Sequence, residues 1–384
     1  MEQRSDVRVY PFYVKATLIL LGLFLFVQVL RVLADVLIPF AIAGLIAILL
    51  NPLNNRLERR LPRIIAILLS ILIAIAIVGG ILYFLSTQIA MFSENLPILK
   101  ERFNEMVVEL QIWIEAHFGL SAEKQMEMTK TADSGGQQLI RNTLGTILGT
   151  LGVIILIPIY VFLLLFYKPL ILNFLYQIFL EKHSLRVAEI LSQTKSAVQS
   201  YMVGLLMETA IVATLNSIAL LIIGVPYAIV IGVIGGILNL VPYLGGLVAI
   251  LLPVLMATIT SEGFSMQLQV IVAYSIIQFI DNNILVPKIV SSKVQINALI
   301  SILFVLLGGM LWGLPGMFLA IPFIAVLKII FDRVDELKPW GSLLGDEIPT
   351  EHIGVHWQKR WDRIFRRMQK EKSKEKIEQS ETDT

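Results

Sequence analysis

Long apolar runs separated by short polar breaks dominate the chain and predict helices that cross a membrane. A helix needs about 20 predominantly apolar residues to span the bilayer core. We expect the first two runs to form a helical hairpin, because the alternative, one helix bent at Arg31, would leave that arginine at membrane depth. Runs that reach spanning length, alone or with flanking residues, cover 16–30, 36–50, 64–84, 143–167 and 201–223.

Two later apolar runs are too long for one crossing and are broken at their centres by proline and glycine. The first covers 226–259 and is broken at 239–246, and the second covers 296–330 and is broken at 308–316. We expect each run to fold back as a hairpin, either re-entrant or fully spanning. Four ordinary short spans are the alternative, and they would leave the flanking loops on the same sides. The residues assigned to hairpins and kinks are Pro242, Gly245, Gly246, Pro287, Gly308, Gly309, Gly313, Pro315 and Gly316.

The charges between the apolar runs predict which segments are cytoplasmic. The loop over 51–63 has four arginines and one glutamate, so the positive-inside rule places it in the cytoplasm. The insertion at 88–142 has eight acidic and five basic residues, which suits the outer side. Both termini are then predicted to be cytoplasmic, and the segments follow in this order: 1–15 cytoplasmic N-terminus, 16–87 three membrane helices, 88–142 extracytoplasmic amphipathic helical insertion, 143–167 membrane helix, 168–200 cytoplasmic amphipathic segment, 201–330 transport core, and 331–384 cytoplasmic basic tail.

Within 201–330, the pattern predicts a helix followed by a hairpin, and then the same order again. The loop charges require the two hairpins to enter from opposite faces of the membrane. Such an inverted repeat is typical of secondary transporters, whose sites lie near the midplane between broken segments. The predicted fold class is therefore an all-α, polytopic integral membrane protein in which two broken hairpins form an inverted repeat.

Polar residues inside the apolar runs are the candidates for a transport pathway. An ionisable group at the centre of a membrane helix costs about 3 kcal/mol on insertion scales, so it usually faces a cavity or a partner. Gln278, Asp281 and Asn282 have the spacing i, i+3, i+4, which places them on one face of a helix that Pro287 kinks or ends. The alternative is a structural carboxylate that the neighbouring amides or Lys288 satisfy. The candidate pathway residues are Asp281, Gln278, Asn282, Asn283, Glu208 and Asn239.

Composition excludes several classes of protein. Hydrophobic residues make up 56% of the 384 residues and charged residues only 16%, against about a quarter in soluble domains, so the chain is read as an integral membrane protein. It has no cysteine, and its four histidines lie outside the apolar runs, so we predict neither a metal site nor a cofactor. The sequence lacks hydrolase, zinc-protease and P-loop motifs, so we predict that it is neither an enzyme nor an ATP-driven pump.

The two hydrophilic segments suggest surfaces that bind a membrane or a partner rather than sites of catalysis or transport. In the tail, the stretch 358–376 has nine basic and three acidic residues, and an apolar side begins at Trp357. We expect this basic amphipathic helix to lie on an anionic inner leaflet and not to bind nucleic acid. In the insertion, an apolar stripe from Leu99 to Ile114 predicts an amphipathic helix, packed on its own protein or on a partner.

A longer pattern surrounds the polar face. Its central element is Gln278, Asp281, Asn282, Leu285 and Pro287. Before it stands Val241-Pro-Tyr-Leu-Gly245, and after it come glycines at 308, 309, 313 and 316, followed by Pro322. In this order and spacing the chain resembles the autoinducer-2 exporter (AI-2E) family of bacterial membrane transporters, from the first helix to about Lys328.

The resemblance implies a secondary transporter of the bacterial cytoplasmic membrane that assembles as a homo-oligomer, a pentamer, with a moving domain. The family is named for export of autoinducer-2, a small polar furanone derivative, and some members look like sodium or lithium/proton antiporters. The positions that match the family pattern most strongly are Gln278, Asp281, Asn282 and Pro287, followed by Pro242 and Gly245.

Three functional hypotheses follow, with the lipid bilayer as a partner in each. In the first, the protein exports a small polar solute by alternating access, and Asp281 contacts the solute or couples its movement. In the second, it exchanges a monovalent cation for protons at Asp281 and Glu208. The third is a non-transporting scaffold that binds partners through 88–142 and the tail. A selective channel stays open as well, because polar faces and glycine-rich breaks also build pores.

Overall fold

The computed structural model describes residues 11–94, 155–178, 184–241, 245–261, 263–290 and 296–346, with four helical positions between 101 and 112. By length and composition, six of the described helices could cross a membrane, and the bent pair over 155–178 makes a seventh if it forms one span. The all-α, polytopic prediction is confirmed. The elements are α1 (Phe12–Val32), α2 (Ala34–Leu57), α3 (Arg63–Glu94), α4 (Ile155–Phe166), α5 (Lys168–Ile178), α6 (Ser184–Ile223), α7 (Ala228–Leu238), α8 (Gly245–Ala249), α9 (Leu251–Thr260), α10 (Ser265–Ile280), a π-helical segment (Asp281–Val290), α11 (Ala298–Arg333) and α12 (Lys338–Leu344).

The chain divides into one unit that ends at Leu344 and a second unit from Gly345 to Thr384. Most of the predicted insertion at 88–142 lies outside the described residues, and so does the basic amphipathic stretch of the tail.

The connection between α1 and α2 differs from the predicted hairpin. Only Leu33 separates the two helices, whereas antiparallel helices are joined by loops of about 2–5 residues. The N–H of Leu33 donates to Val29 O at 3.0 Å, and the N–H of Leu37 donates to Leu33 O at 2.9 Å, so helical hydrogen bonding continues on both sides of the break. The pair is therefore one helical path bent at Leu33, as in the alternative weighed above. The physical reason is visible in the sequence, since the segment between Leu30 and Asp35 has no glycine or proline to end a helix.

Helix α6 packs against six of the other elements. It has 40 residues, a length of about 60 Å at 1.5 Å per residue, and contacts α2, α5, α7, α10, α11 and the π-helical segment. It begins at Ser184, so the stretch 184–200 continues without interruption into the span predicted from Tyr201. Gly224, at φ +87°, ends the helix, and its N–H bonds back to Leu220 O in the manner of a C-terminal cap.

The first hairpin consists of α7, α8 and α9 and starts from the C-terminal end of α6. Helix α7 packs tightly on α6 through small residues: a Cβ added at Gly232 would meet the backbone of Ser217, and one added at Gly236 would meet the backbone of Ala213. The chain then folds back, because a Cβ at Gly235 would lie 3.6 Å from the Cβ of Ala249 in α8. Helices α7 and α9 have 11 and 10 residues, or about 16 Å each, which is half the thickness of the bilayer core.

The second hairpin is α11, which bends back on itself at Trp312 and Gly313. Gly313 has φ +64°, a conformation that favours glycine. A Cβ at Gly308 would meet the carbonyl of Gly316, so the two halves of α11 touch at backbone distance. Helix α12, which follows the hairpin, lies at its start, because Asn297 Nδ2, just before α11, donates to Leu343 O of α12 at 2.7 Å.

The two hairpins start from opposite ends of α6. The first follows its last residue, Ile223, whereas the base of the second is tied to its first turns by Arg333 Nη1–Glu189 Oε1 at 2.7 Å. Their turns both reach the middle of α6: Leu240 and Trp312 pack on one buried cluster that includes Val198 and Leu205. Interrupted helices from both ends therefore converge beside the centre of the longest helix.

Candidate functional site

Three side chains from three different elements meet beside the middle of α6. The Nδ2 of Asn239, in the turn of the first hairpin, donates to Glu208 Oε1 at 3.2 Å and to Asp281 Oδ2 at 3.0 Å. Glu208 belongs to α6 and is 4% exposed, and Asp281 opens the π-helical segment and is 2% exposed. One amide thus joins two buried carboxyl groups that the sequence separates by 73 positions.

Of the pathway residues predicted near Asp281, two border this cluster and one does not. Gln278 Nε2 lies 3.4 Å from Asp281 Oδ2 and 3.4 Å from Asn282 Oδ1. Asn282 is exposed, so it is at the rim of the cluster rather than inside it. Asn283 is exposed too, and its amide donates back to Phe279 O at 2.8 Å, away from the carboxyl groups.

The backbone changes register at the site. From Asp281 to Val290 the helix is π-helical, with i→i+5 hydrogen bonding, and this segment contains Pro287. Proline has no N–H and crowds the preceding turn, so a wider turn at this place has a physical cause. The sequence predicted a kink or an end at Pro287. The change to π-helical hydrogen bonding begins six residues earlier, at Asp281.

The two carboxyl groups lack enough protein partners to be satisfied as a pair of ions. Asp281 Oδ1 is buried, and within the described part of the chain no N–H or hydroxyl group donates to it. The only cationic side chain of the π-helical segment is Lys288, and it forms no ion pair with a described acidic group. Two adjoining buried carboxylates repel each other unless a proton or a cation lies between them. The arrangement can therefore bind one positive charge reversibly.

An open cavity lies on the part of α6 that precedes Glu208. Its volume is about 400 Å³, and it lies between α6 and the end of the π-helical segment. Gly204 and Met207 of its wall are within one turn of Glu208. The full lining is Gln199, Ser200, Val203, Gly204, Met207, Lys288 and Ile289.

The predicted hairpin residues take close-packing positions around the site. A Cβ at Gly246 would meet the side-chain amide of Gln278, and one at Gly245 would meet the backbone of Leu238. Gly309 faces Met317 across the second hairpin, whose returning half begins near Pro315. Pro242 lies outside the described residues.

Three further polar residues, which the sequence did not mark as pathway residues, are buried on α6 and α10. Asn216 of α6 is 2% exposed and Tyr274 of α10 is 5% exposed, and Gln267, near the start of α10, is 8% exposed. A usable signal was present: Gln267, Tyr274 and Asp281 are each seven residues apart, which places them on one side of a helix. A single tyrosine or glutamine does not mark a pathway by itself, so the repeat has no meaning without the fold.

The described residues contain no group of three or more histidine, cysteine, aspartate or glutamate side chains that could hold a metal ion. The site is built from two carboxyl groups and amides at a broken hairpin, an arrangement found where transporters bind small polar solutes and coupling ions. Comparison with known proteins agrees with this reading, since the sequence profile described as "AI-2E family transporter" matches residues 16–336. The chain belongs to the AI-2E transporter family.

Curated relatives of this AI-2E protein are named for transport. YrrI of Bacillus subtilis, a candidate transport protein by its name, is 26% identical over 262 residues, which cover 66% of this chain and 73% of YrrI. YueF of the same species, named in the same way, is 31% identical over 153 residues, 40% of each chain. The "AI-2 transport protein TqsA" of Escherichia coli K12 is 27% identical over 164 residues, 42% of this chain and 47% of TqsA.

Proposed function

We propose that this AI-2E protein is a secondary transporter that exports a small polar solute by alternating access and couples its movement to a proton or a monovalent cation. The observation behind this proposal is the contact of Asn239 with both Glu208 and Asp281. That contact joins the turn of the first hairpin to α6 and to the π-helical segment, so occupation of the carboxyl pair and movement of the hairpin depend on each other.

The coupling follows from charge. When the pair holds a proton or a cation, the two carboxyl groups are compatible with a closed, dry site. When the positive charge leaves, two buried carboxylates are costly, and the site must open to water or take up another charge. This exchange is what a carrier needs in order to link the movement of one species to that of another.

The positions of the basic residues suggest which end of the helix bundle faces the cytoplasm. Arg63, Lys168, Arg186 and Arg333 lie near one end of the bundle: Arg63 Nη2 donates to Phe166 O at 2.6 Å, and Lys168 Nζ donates to Asn51 Oδ1 at 2.8 Å. We place this end in the cytoplasm by the positive-inside rule. The open cavity beside Lys288 then faces the cytoplasm, as loading of an exported solute requires.

The similarity to TqsA supports an autoinducer-2-like solute, and the cavity of about 400 Å³ has room for a molecule of that size. Sodium or lithium/proton exchange is the second candidate, because two adjoining carboxyl groups are sufficient for it without any solute site. That this protein forms a homo-oligomer, such as the pentamer implied by the family, stays a prediction; α1, which has no buried residue, is a candidate surface for it.

Reconstitution into liposomes tests the proposal. We would measure flux of labelled autoinducer-2 and, in separate vesicles, proton movement driven by sodium or lithium gradients. Asp281→Asn and Glu208→Gln should each abolish the activity that the wild type shows. Glu189→Gln, which neutralises a carboxylate in a surface ion pair of the same helix, should leave that activity intact. Full activity in Asp281→Asn would refute the role given to the carboxyl pair.

A further inference from the structure

A group of basic side chains lies where α4 ends and α5 begins. Lys168, the first residue of α5, donates from Nζ to Asn51 Oδ1 at 2.8 Å. Arg63 Nη2 donates to Phe166 O at 2.6 Å and so caps the last turn of α4. Lys195 of α6 is close enough to Lys168 for the two charges to repel each other, and so is Arg63. Three cations therefore meet at this end of the bundle.

The acidic partners in this group are too few to balance the cations. Of the described side chains, Glu58 is the one carboxylate that acts on Lys168. Glu58 Oε1 lies 3.9 Å from Arg63 Nε and also accepts from Asn54 Nδ2 at 2.9 Å. Neither Lys168 nor Lys195 forms an ion pair with a described acidic group. Three positive charges and one negative charge leave an excess of two positive charges, which an anion would neutralise.

Helix α5 indicates the level of this basic group in the membrane. The helix bends by 61° from α4 and has no buried residue. Leu170, Phe174 and Ile178 are exposed and four residues apart, so they form an apolar stripe along one side of α5. A helix with such a stripe lies at the boundary between the acyl chains and the head groups of a bilayer. Lys168, at the start of α5, is therefore at the level of the lipid phosphates.

We propose that Lys168 and Lys195 bind the phosphate group of an anionic phospholipid, whose acyl chains pack on the apolar stripe of α5. The lipid belongs to the inner leaflet, because this end of the bundle is the one placed in the cytoplasm above. Asn51 is 3% exposed, and its hydrogen bond positions the ammonium group of Lys168 while using only one of the three N–H donors. Basic pockets between membrane helices on the cytoplasmic side are typical sites for such lipids.

A phospholipid matches this surface better than a soluble phosphate does. The basic group supplies the charge that either ligand needs. The apolar stripe of α5 adjoins that group, and only a lipid has acyl chains that cover the stripe. The bound lipid contacts α5 through its chains and α6 through Lys195, so it holds together two helices that pack on each other at this end.

Native mass spectrometry of the full-length protein in detergent tests the proposal without any transported solute. The measured quantity is the dissociation constant of the first phosphatidylglycerol molecule that binds. Lys195 is exposed, so Lys195→Gln leaves the packing of α6 intact. Because one basic residue beside an anionic lipid changes affinity by about fivefold, Lys195→Gln should weaken binding by about that factor. Adding Lys168→Gln should weaken binding further, and an affinity of this double variant equal to that of the wild type would overturn the site.

Controls separate the phosphate site from general charge and from a disturbed fold. Lys338→Gln removes the same charge from an exposed ion pair with Asp335, and it should leave the affinity unchanged. Lys168→Arg with Lys195→Arg keeps both charges and should bind as the wild type does; weakening equal to that of the glutamine variants would overturn the role given to charge. Phosphatidylcholine, which has no net charge, should bind more weakly than phosphatidylglycerol. Complete displacement of phosphatidylglycerol by inorganic phosphate would assign the site to a soluble anion and overturn the lipid.

Discussion

Replacing Asn239 by leucine removes the single donor that joins the two carboxyl groups. Its Nδ2 lies 3.2 Å from Glu208 Oε1 and 3.0 Å from Asp281 Oδ2. A hydrogen bond to a charged group contributes about 1.5–3 kcal/mol, and one shared donor cannot contribute twice the full amount. We take about 2–3 kcal/mol for the pair, which corresponds to roughly 30–150-fold in a binding constant.

The assay is the half-saturating concentration of the transported species in liposomes, measured with labelled autoinducer-2 or with the sodium or lithium ion that drives proton movement. Asn239→Leu should raise this concentration by up to roughly 30–150-fold, because the amide stabilises the ionised carboxyl pair that binds the transported species, and its loss favours the protonated pair that does not. The matched control is Asn283→Leu, which makes the same replacement at an exposed position whose amide bonds only to its own helix. A change below about threefold in Asn239→Leu, or equal changes in both variants, would refute the bridging role of the amide.

Two further predictions concern the hairpins. Gly308→Ala places a methyl group against the backbone of Gly316, which cannot move aside alone, so we expect a loss of about 1–3 kcal/mol, seen as a lower unfolding temperature in detergent. An unfolding temperature equal to that of Gly44→Ala, whose methyl group meets nothing within 4 Å, would mean that the halves of α11 do not touch there. Because the chain has no cysteine, Tyr243→Cys and Trp312→Cys give single-cysteine proteins directly, and we expect membrane-impermeant thiol reagents to reach them from opposite faces. Labelling of both from the same face would exclude the inverted repeat.

The core of the site could be predicted because charged and amide groups are rare inside membrane helices. Glu208, Asn239, Gln278 and Asp281 stood out from apolar surroundings, and the structure brings all four together. Asn283 could not be separated from them by composition. The helical spacing does separate it: Asn283 is two residues after Asp281, about 200° around a helix, and the structure has it on the exposed side.

The remaining differences have equally specific causes. The bend at Leu33 preserves helical hydrogen bonds, so it requires no glycine or proline in the sequence. The polar interruption near Arg31 is compatible with a bend and with a turn, so the sequence could not distinguish the two. Tyr274 and Asn216 could not be linked from the sequence, because they meet only where Gly235 lets the first hairpin pack closely on both. The first hairpin could be predicted from its broken run, whereas its close packing on α6 and α10 depends on the fold.

Proton release on binding tests the central claim most directly. Purified protein in weakly buffered detergent solution would be mixed with sodium, lithium or autoinducer-2, and a pH indicator would record the protons released. A bound sodium or lithium ion replaces the proton of the carboxyl pair, and a neutral solute that is exchanged for a proton binds only after that proton has left. The wild type and Glu189→Gln should therefore release up to about one proton per chain on binding their ligand. Asp281→Asn and Glu208→Gln should release none. Undiminished release from Asp281→Asn, or transport by the wild type without any release, would contradict the account of Glu208 and Asp281 as the coupling site.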